Sequence, residues 1–226
     1  MNVISRKTVV SGIATIIFSL LSLSMIGLAY CEQSAPLARS SDLDTQVPRF
    51  LKDVRHSWTG WNVPYEDGKI LYDLVIKGQF KNILEVGTST GHSTIWLAWA
   101  AATTGGKVTT IEIDRERYRT ALDNFKKAGV ASYIDARLAD AHDLVRTLKG
   151  PFDFVFCDAD KDWYLQYFID LAPKISVGGC YAAHNALRGG RDVERFLVYV
   201  KGDPRFRTTI ERGSGEGTSI SCKIAE

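Results

Sequence analysis

The sequence is poor in cysteine and nearly balanced in charge, and each shortage excludes a class of protein. Four cysteines in 226 residues, Cys31, Cys157, Cys180 and Cys222, are too few and too scattered for a disulfide scaffold. None of them has the C-x-x-C spacing of a structural zinc site. The last three lie in apolar runs, so we expect them to be small buried hydrophobic residues. A formal net charge of +2 gives no basic surface for nucleic acid, so no nucleic-acid partner is expected.

The sequence also lacks the G-x-G-x-x-G pattern that cradles the phosphates of NAD. Its most informative stretch is KNILEVGTSTGHS, residues 81–93, in which Gly87 and Gly91 are four positions apart. Residues 82–86 are predicted to form a short buried strand, and a helix is predicted from Ser93. A strand, a glycine turn and a helix form the first unit of a nucleotide-binding α/β sheet. The incomplete pattern counts against an NAD-dependent oxidoreductase.

The N-terminus has the features of a targeting segment. Arg6 and Lys7 precede an apolar stretch at 9–29, which is long enough to span a bilayer as a helix. Small residues end this stretch, as they do before the cleavage site of a signal peptide. We predict that residues 1–31 are a signal peptide or an N-terminal membrane anchor, with the body of the protein exported. A mis-assigned start codon, which would leave the protein cytoplasmic, is the alternative.

Composition then divides the rest of the chain into a linker and one domain. Residues 32–46 are polar and carry a proline and several serines, so they are predicted to be a linker. Residues 47–226 are predicted to form the domain, with its first helix starting after Pro48. Contact with a membrane is expected only through the N-terminal segment.

Strand and helix patterns alternate from residue 81 to residue 202, and this alternation predicts an α/β fold. The sheet is expected to be Rossmann-like and mostly parallel, with helices on both faces. Residues 206–211 and 218–224 are predicted to form an antiparallel hairpin at its end. Ligands of such sheets bind at the carboxyl ends of the strands, so the loops there are the candidate site.

The loops after the first three predicted strands carry acidic residues that suit a nucleoside with an amino-acid end. Glu85, two residues before Gly87, could bind the ammonium group of S-adenosylmethionine directly or through water. Glu112 lies 25 residues after Gly87, where an acid grips a ribose diol. Asp140 could accept a hydrogen bond from the adenine amino group, and it could also be the N-cap of the next helix.

The next two loops carry the residues that suit a reaction. Asp158 follows a buried strand directly and is placed to bind a metal or to polarise a substrate. Lys161 could remove a proton if burial and a nearby cation lowered its pKa. His184 and Asn185 end the following strand, and with Asp158 they make a three-ligand group. Trp58, Trp61, Trp163 and Tyr164 are expected either to wall an aromatic substrate or to pack in the core.

Four stretches together resemble the cation-dependent O-methyltransferases, the family of catechol and caffeoyl-CoA O-methyltransferases. They are ILEVGTSTGHS, VTTIEIDRERY, FDFVFCDADKDWY and GGCYAAHNAL, and the resemblance covers roughly residues 47–224. It implies the S-adenosylmethionine-dependent methyltransferase fold. WNVPYEDGKIL is similar to the family segment that closes over the methionine end of the cofactor. The implied cofactor contacts are Asn62, Val63, Glu85, Gly87, Ser93, Glu112, Asp140 and Asp158.

The resemblance also implies a metal on Asp158 and Asn185, with Lys161 as the catalytic base, but the sequence departs from the family at one position. Where the family has an acid before Asn185, this chain has His184. An imidazole ligand favours Mn²⁺, Fe²⁺ or Zn²⁺ over Mg²⁺, which prefers oxygen. The sequence therefore predicts either an altered divalent-cation site or no metal, with His184 orienting or deprotonating the substrate hydroxyl.

The sequence hypothesis is methyl transfer from S-adenosylmethionine to the hydroxyl of a small molecule, expected to be a phenol or catechol. Its rival is a non-catalytic cofactor-binding or interaction protein on the same fold, suggested by His184 and by the N-terminal segment. The oligomeric state stays open, with a homodimer among the options.

Overall fold

The computed structural model describes residues 40–58 and 61–226, which form a seven-stranded sheet with helices on both faces. The strands are β1 Asn82–Val86, β2 Lys107–Glu112, β3 Ile134–Leu138, β4 Phe152–Cys157, β5 Ile175–Ala183, β6 Phe206–Glu211 and β7 Thr218–Lys223. Their order across the sheet is β3-β2-β1-β4-β5-β7-β6. The first five strands are parallel, and β7 runs antiparallel to both β5 and β6. The predicted fold class and the C-terminal hairpin are confirmed.

The helices bury two separate apolar layers against the sheet. They are α1 Ser40–Asp53, α2 Tyr65–Gly78, α3 His92–Thr104, α4 Arg115–Ala128, α5 Ala141–Thr147, α6 Tyr164–Leu171 and α7 Gly190–Gly202. The first four helices contribute to one layer and the last three to the other. Successive side chains of a strand point to opposite faces, so Ile83 enters the first layer and Leu84 the second. Because β1 is covered on both sides, its sequence is an apolar run rather than an alternation.

The turn between β1 and α3 requires glycine at two positions. Gly87 and Gly91 have φ angles of +99° and +98°, which residues with a side chain rarely adopt. A Cβ atom at Gly87 would also lie 2.4 Å from the carbonyl oxygen of Asp158. The loop after β1 therefore packs directly on the loop after β4, and glycine permits that approach.

The predicted linker at 32–46 is wrong from residue 40 onward, where α1 begins. Leu43, Val47 and Leu51 are fully buried, and their spacing of four places them on one face of the helix. Pro48 lies inside α1 rather than at its start. Asp42, Asp44 and Thr45, which belonged to the predicted linker, lie exposed on the other side of this helix, and the domain thus begins before residue 47.

The predicted signal peptide or anchor at 1–31 lies outside the described residues, as does the rest of the linker before residue 40. Within 40–58 and 61–226, no helix is both long enough and apolar enough to cross a bilayer.

Two of the cysteines expected to be simple buried hydrophobic residues instead form a disulfide. Cys180 in β5 and Cys222 in β7 are directly opposite in the antiparallel register, with their Cα atoms 4.0 Å apart. Cys157 is free and buried, as expected. The two bonded residues are 42 positions apart in sequence. They meet because the C-terminal hairpin folds back so that β7 pairs with β5.

Candidate active site

A cavity of about 890 Å³ lies at the carboxyl ends of the parallel strands, where the sequence placed the site. The loops after β1 to β5 contribute to its wall, together with Trp61, Asn62 and Pro64 before α2 and Glu216 between β6 and β7. Its volume is in the range of small-molecule and cofactor sites.

Most of the predicted site residues line this cavity, but three do not. Those in the wall are Asn62, Gly87, Glu112, Asp140, Asp158, Lys161, His184 and Asn185. Val63, Glu85 and Ser93 are buried behind it. Of the four aromatic residues considered as walls, Trp61 and Trp163 line the cavity. Tyr164 is fully buried in the core, and Trp58 stacks on His92.

The segment before α2 is fastened to the glycine turn and to α3. Asn62 exchanges side-chain hydrogen bonds with Thr90, at 2.9 and 3.2 Å. The backbone carbonyl of Val63 lies 2.8 Å from Nδ1 of His92, whose Nε2 accepts a hydrogen bond from Trp96. Burial lowers the pKa of His92 to about 4, so its ring is neutral and donates from Nδ1. Val63 thus contributes its carbonyl to the position of the loop rather than a side chain to the cavity.

Glu112, at the end of β2, is held in place by backbone and side-chain donors. Its Oε2 accepts a hydrogen bond from the Ser89 amide at 2.7 Å. Its Oε1 accepts from the Asp114 amide at 2.9 Å and from the guanidinium of Arg117 at 3.0 Å. Glu112 therefore joins the glycine turn to the start of α4 and keeps a carboxylate at the cavity wall. This is the position predicted for an acid that binds a ribose diol.

Glu85 lies beneath the glycine turn and has no exposed surface. Its Oε2 accepts hydrogen bonds from the hydroxyls of Thr94 and Thr110, and Oε1 has no partner among the described residues. Burial raises the pKa of Glu85 to about 7. In this arrangement the side chain does not reach the cavity, so direct binding of a ligand ammonium is not what the geometry offers.

The loops after β3 and β4 meet around His142, which was not among the predicted site residues. Asp140 caps α5 by accepting from the His142 amide at 2.9 Å, so the expected N-cap is present. The His142 ring stacks on Trp163 with 3.7 Å between centroids, and its Nε2 lies 2.8 Å from Oδ2 of Asp160. These side chains form a flat wall suited to a planar base. The sequence held one signal for this residue: His142 comes two positions after Asp140, the predicted N-cap, and so lies in the first turn of the helix at the same edge of the sheet.

Lys161 also lines the cavity, and its ammonium group is fully hydrogen-bonded. Nζ donates to Oδ1 of Asp158 at 2.6 Å, to the carbonyl of Ala159 at 3.0 Å and to the hydroxyl of Tyr164 at 2.8 Å. Burial alone would raise the pKa of Asp158, but the hydrogen bond with His184 and the charge of Lys161 hold it below its usual range. Asp158 is therefore a carboxylate at neutral pH, and it fixes the amine at the cavity wall.

His184 lies between two carboxylates. Its Nε2 is 2.8 Å from Oδ2 of Asp67, and its Nδ1 is 3.4 Å from Oδ2 of Asp158. Burial alone would lower the pKa of His184, but these two carboxylates outweigh it and raise the pKa to about 9. Asp67, in the first turn of α2, is 117 residues away in sequence and was not among the predicted site residues.

The predicted metal ligands come together in part. Nδ1 of His184 and Oδ2 of Asp158 face each other at a spacing that one ion could bridge, with Asp67 behind the ring as metal-bound histidines usually have. The side-chain nitrogen of Asn185 donates a hydrogen bond to Glu216 at 3.2 Å. The side-chain oxygen of Asn185 is then the third candidate metal ligand. Residues 40–58 and 61–226 contain no group of three or more His, Cys, Asp or Glu placed to hold a metal. A divalent ion at this site would need Asn185, and ligands from substrate or water, in addition to His184 and Asp158.

Comparison with known proteins identifies the family of this chain. An O-methyltransferase family model matches residues 39–197, more than half of the chain. The catechol O-methyltransferase of Niastella koreensis is 34% identical over 171 residues, which are 73% of this chain and 75% of that protein. Caffeoyl-CoA O-methyltransferase 1 of Eucalyptus globulus is 35% identical over 162 residues, which are 66% of this chain and 65% of that protein.

Solved structures share the fold over most of the chain. The O-methyltransferase TomG of Streptomyces achromogenes, solved with S-adenosylmethionine, is 27% identical with a TM-score of 0.69, over 80% of this chain and 91% of that one. The Bacillus cereus O-methyltransferase, solved with S-adenosylhomocysteine, is 26% identical with a TM-score of 0.67, over 84% of this chain and 93% of that one. Motifs, family model, relatives and fold agree, and this chain belongs to the O-methyltransferase family.

Proposed function

We propose that this protein transfers a methyl group from S-adenosylmethionine to the hydroxyl of a small phenol or catechol. The observation that carries the proposal is that one cavity is lined by both groups of predicted residues. Glu112 and Asp140, which we propose hold the nucleoside, line the same cavity as Asp158 and Lys161, which we propose act on the hydroxyl. Two structural neighbours were solved with S-adenosylmethionine and S-adenosylhomocysteine, and two relatives are named for catechol and caffeoyl-CoA.

The reaction requires loss of one proton from the acceptor. A phenol has a pKa of about 10 and is mostly protonated at neutral pH. Once the proton leaves, the oxygen attacks the methyl carbon, the carbon–sulfur bond breaks and its electron pair stays on sulfur. The products are a methyl ether and neutral S-adenosylhomocysteine. The protein contributes alignment of oxygen, carbon and sulfur, and a site from which water is excluded.

We assign removal of the acceptor's hydroxyl proton to Lys161. In this structure its three ammonium hydrogens are all donated, so it must release one before it can accept another. Its side chain is about a third exposed, at 31%, which gives that proton a route to solvent. As an ammonium it would instead stabilise the phenolate by its charge.

We further propose that a divalent cation of the Mn²⁺, Fe²⁺ or Zn²⁺ type binds at Asp158, His184 and Asn185. When bound, such an ion would stabilise negative charge on the acceptor oxygen. Support comes from the facing pair of His184 and Asp158 with Asp67 behind it. The positive charges of Lys161 and of the protonated His184 ring count against cation binding, because they repel a cation. Without an ion, the same contacts would let His184 orient the acceptor hydroxyl.

Calorimetric titration of the purified protein with S-adenosylmethionine, and with NAD as control, tests the cofactor. We expect binding of S-adenosylmethionine with a Kd of micromolar order and no heat with NAD. Methyl transfer to catechol is then measured with chelator and with added Mg²⁺, Mn²⁺ or Zn²⁺. Tight NAD binding would overturn the proposal in favour of an oxidoreductase. Cofactor binding without transfer to any phenol would favour a non-catalytic binding protein.

We also propose that the N-terminal segment directs the folded domain to an oxidising compartment. The support is the Cys180–Cys222 disulfide, because such bonds persist mainly in exported proteins. Intact cells would be treated with a thiol-alkylating reagent, and the protein examined by mass spectrometry before reduction. We expect Cys180 and Cys222 to remain unmodified and joined. Alkylation of both residues in cells would contradict export.

A further inference from the structure

Asp67 is a buried acid that the proposed reaction does not use. It is 1% exposed and lies in the first turn of α2, far along the chain from the loops after β4 and β5. Its Oδ2 accepts hydrogen bonds from Nε2 of His184 at 2.8 Å and from the hydroxyl of Ser214, while Oδ1 has no partner among the described residues. Burying a carboxylate is costly unless it is paired, so its placement calls for a reason.

A role in helix capping does not supply that reason. An acid in the first turn of a helix stabilises it by interacting with the helix dipole, but this effect needs no burial. Glu66, the preceding residue, occupies the same turn of α2 with its side chain 53% exposed. The buried position of Asp67 is explained by what it contacts rather than by the helix it belongs to.

We propose that Asp67 is a positioning residue for the methyl-transfer site, whose carboxylate holds the His184 ring so that Nδ1 faces Asp158 and the cavity. This inference rests on the proposed function. A carboxylate only accepts hydrogen bonds, so the ring must donate from Nε2 to Asp67. With Nε2 fixed, the ring plane is fixed, and the other nitrogen is the one directed at Asp158.

The consequence reaches Lys161 through one shared carboxylate. Oδ2 of Asp158 faces His184, and Oδ1 accepts the hydrogen bond from Lys161 at 2.6 Å. Asp67, His184, Asp158 and Lys161 thus form one chain of contacts from α2 to the cavity. It places His184 whether the ring then binds a cation or a substrate hydroxyl, because both uses need Nδ1 toward the cavity.

The β6–β7 loop supports the arrangement from the other side. Ser214 donates its hydroxyl to Asp67, and the backbone amides of Ala186 and Leu187 donate to the carbonyls of Gly217 and Glu216 at 2.9 Å. The loop that follows His184 is therefore tied to the same hairpin loop that holds Asp67. Three segments distant in sequence converge on one histidine.

The test compares Asp67→Ala with Asp67→Asn, which keeps an oxygen acceptor without the charge. We expect Asp67→Ala to lower kcat for catechol methylation by about 10- to 100-fold, the usual range for residues that orient a ligand histidine. KM for the acceptor and Kd for S-adenosylmethionine should stay within about threefold, and Asp67→Asn should recover part of kcat. The matched control is Asp73→Ala on the exposed face of α2, where the aspartate pairs with Lys69 at the surface.

A second readout does not depend on turnover. The protein has four histidines, so ¹⁵N-histidine labelling gives few ring signals, and His184 is assigned by its loss in His184→Asn. We expect a slowly exchanging Nε2–H signal in the parent protein that disappears in Asp67→Ala. Unchanged kcat and an unchanged signal in folded Asp67→Ala would overturn the inference. A parent protein that binds no S-adenosylmethionine would refute the proposed function while the ring signal still reported on Asp67.

Discussion

Replacing Lys161 with methionine is expected to lower methyl transfer by about 10²- to 10⁴-fold, the range contributed by a positioned general acid or base. Methionine has a similar length and fills the same space, but it can neither carry a proton nor donate to Asp158. Affinity for S-adenosylmethionine should stay within about twofold. The predicted ribose and adenine contacts at Glu112 and Asp140 do not involve Lys161.

The variant should fold, because Asp158 keeps its second partner. Oδ2 of Asp158 still faces Nδ1 of His184 when Lys161 is removed, so the buried carboxylate is not left without a positive neighbour. Lys126→Met is the control, since this lysine is on the exposed face of α4 and its side chain is 72% exposed. Calorimetric titration of the cofactor and single-turnover rates with catechol would measure the two quantities separately.

Lys161→Arg distinguishes a base from a fixed positive charge. Arginine keeps the charge and can still donate to Asp158, but it does not give up its proton in proteins. If Lys161 accepts the phenolic proton, the arginine variant should be nearly as inactive as the methionine variant. Retention of most activity in Lys161→Arg would assign the residue to charge stabilisation. Loss of cofactor binding in Lys161→Met would contradict the assignment of Lys161 to the proton.

Glu112→Gln is expected to weaken S-adenosylmethionine binding by about 10²-fold. A hydrogen bond to a charged group contributes about 1.5–3 kcal/mol, and a ribose diol can make two with a carboxylate. The amide has one acceptor oxygen, and its nitrogen would face the Ser89 amide or Arg117, both of which are donors. Loss of affinity should therefore come with a small loss of order in the loop after β1. Isothermal titration measures the change.

Two comparisons separate a ribose contact from loop damage. Glu116→Gln carries the same substitution on the exposed first turn of α4 and should bind normally. The parent protein should prefer S-adenosylhomocysteine over its 2′-deoxy analogue, and Glu112→Gln should lose that preference. If the variant discriminates between the two ligands as strongly as the parent does, Glu112 does not bind the ribose.

Several of the site residues that the sequence predicted stand at the end of a predicted strand. Glu112, Asp158 and His184 were identified because parallel strands end at one edge of a sheet, and all three line the cavity. Glu85 satisfied the same rule and yet lies buried beneath the turn. A strand end fixes the edge of the sheet but not the depth of each side chain.

The start of the first helix was predicted wrongly from local sequence signals. Pro48 is typical of a helix start, and the polar residues before it are typical of a linker. Burial of Leu43 and Val47 keeps the helix continuous through the proline. The apolar spacing of four was present in the sequence, but its significance depended on a surface for it to cover.

The sequence by itself determined the sheet, its hairpin, the family and the edge at which the chemistry lies, because these follow from periodicity and from motifs contiguous along the chain. Only the tertiary structure decided that Cys180 bonds to Cys222 and that Asp67 holds His184. Those pairs are 42 and 117 residues apart. The sequence around each residue does not indicate its partner. Pairing of β7 with β5 brings the two cysteines together, and the packing of α2 brings Asp67 to His184.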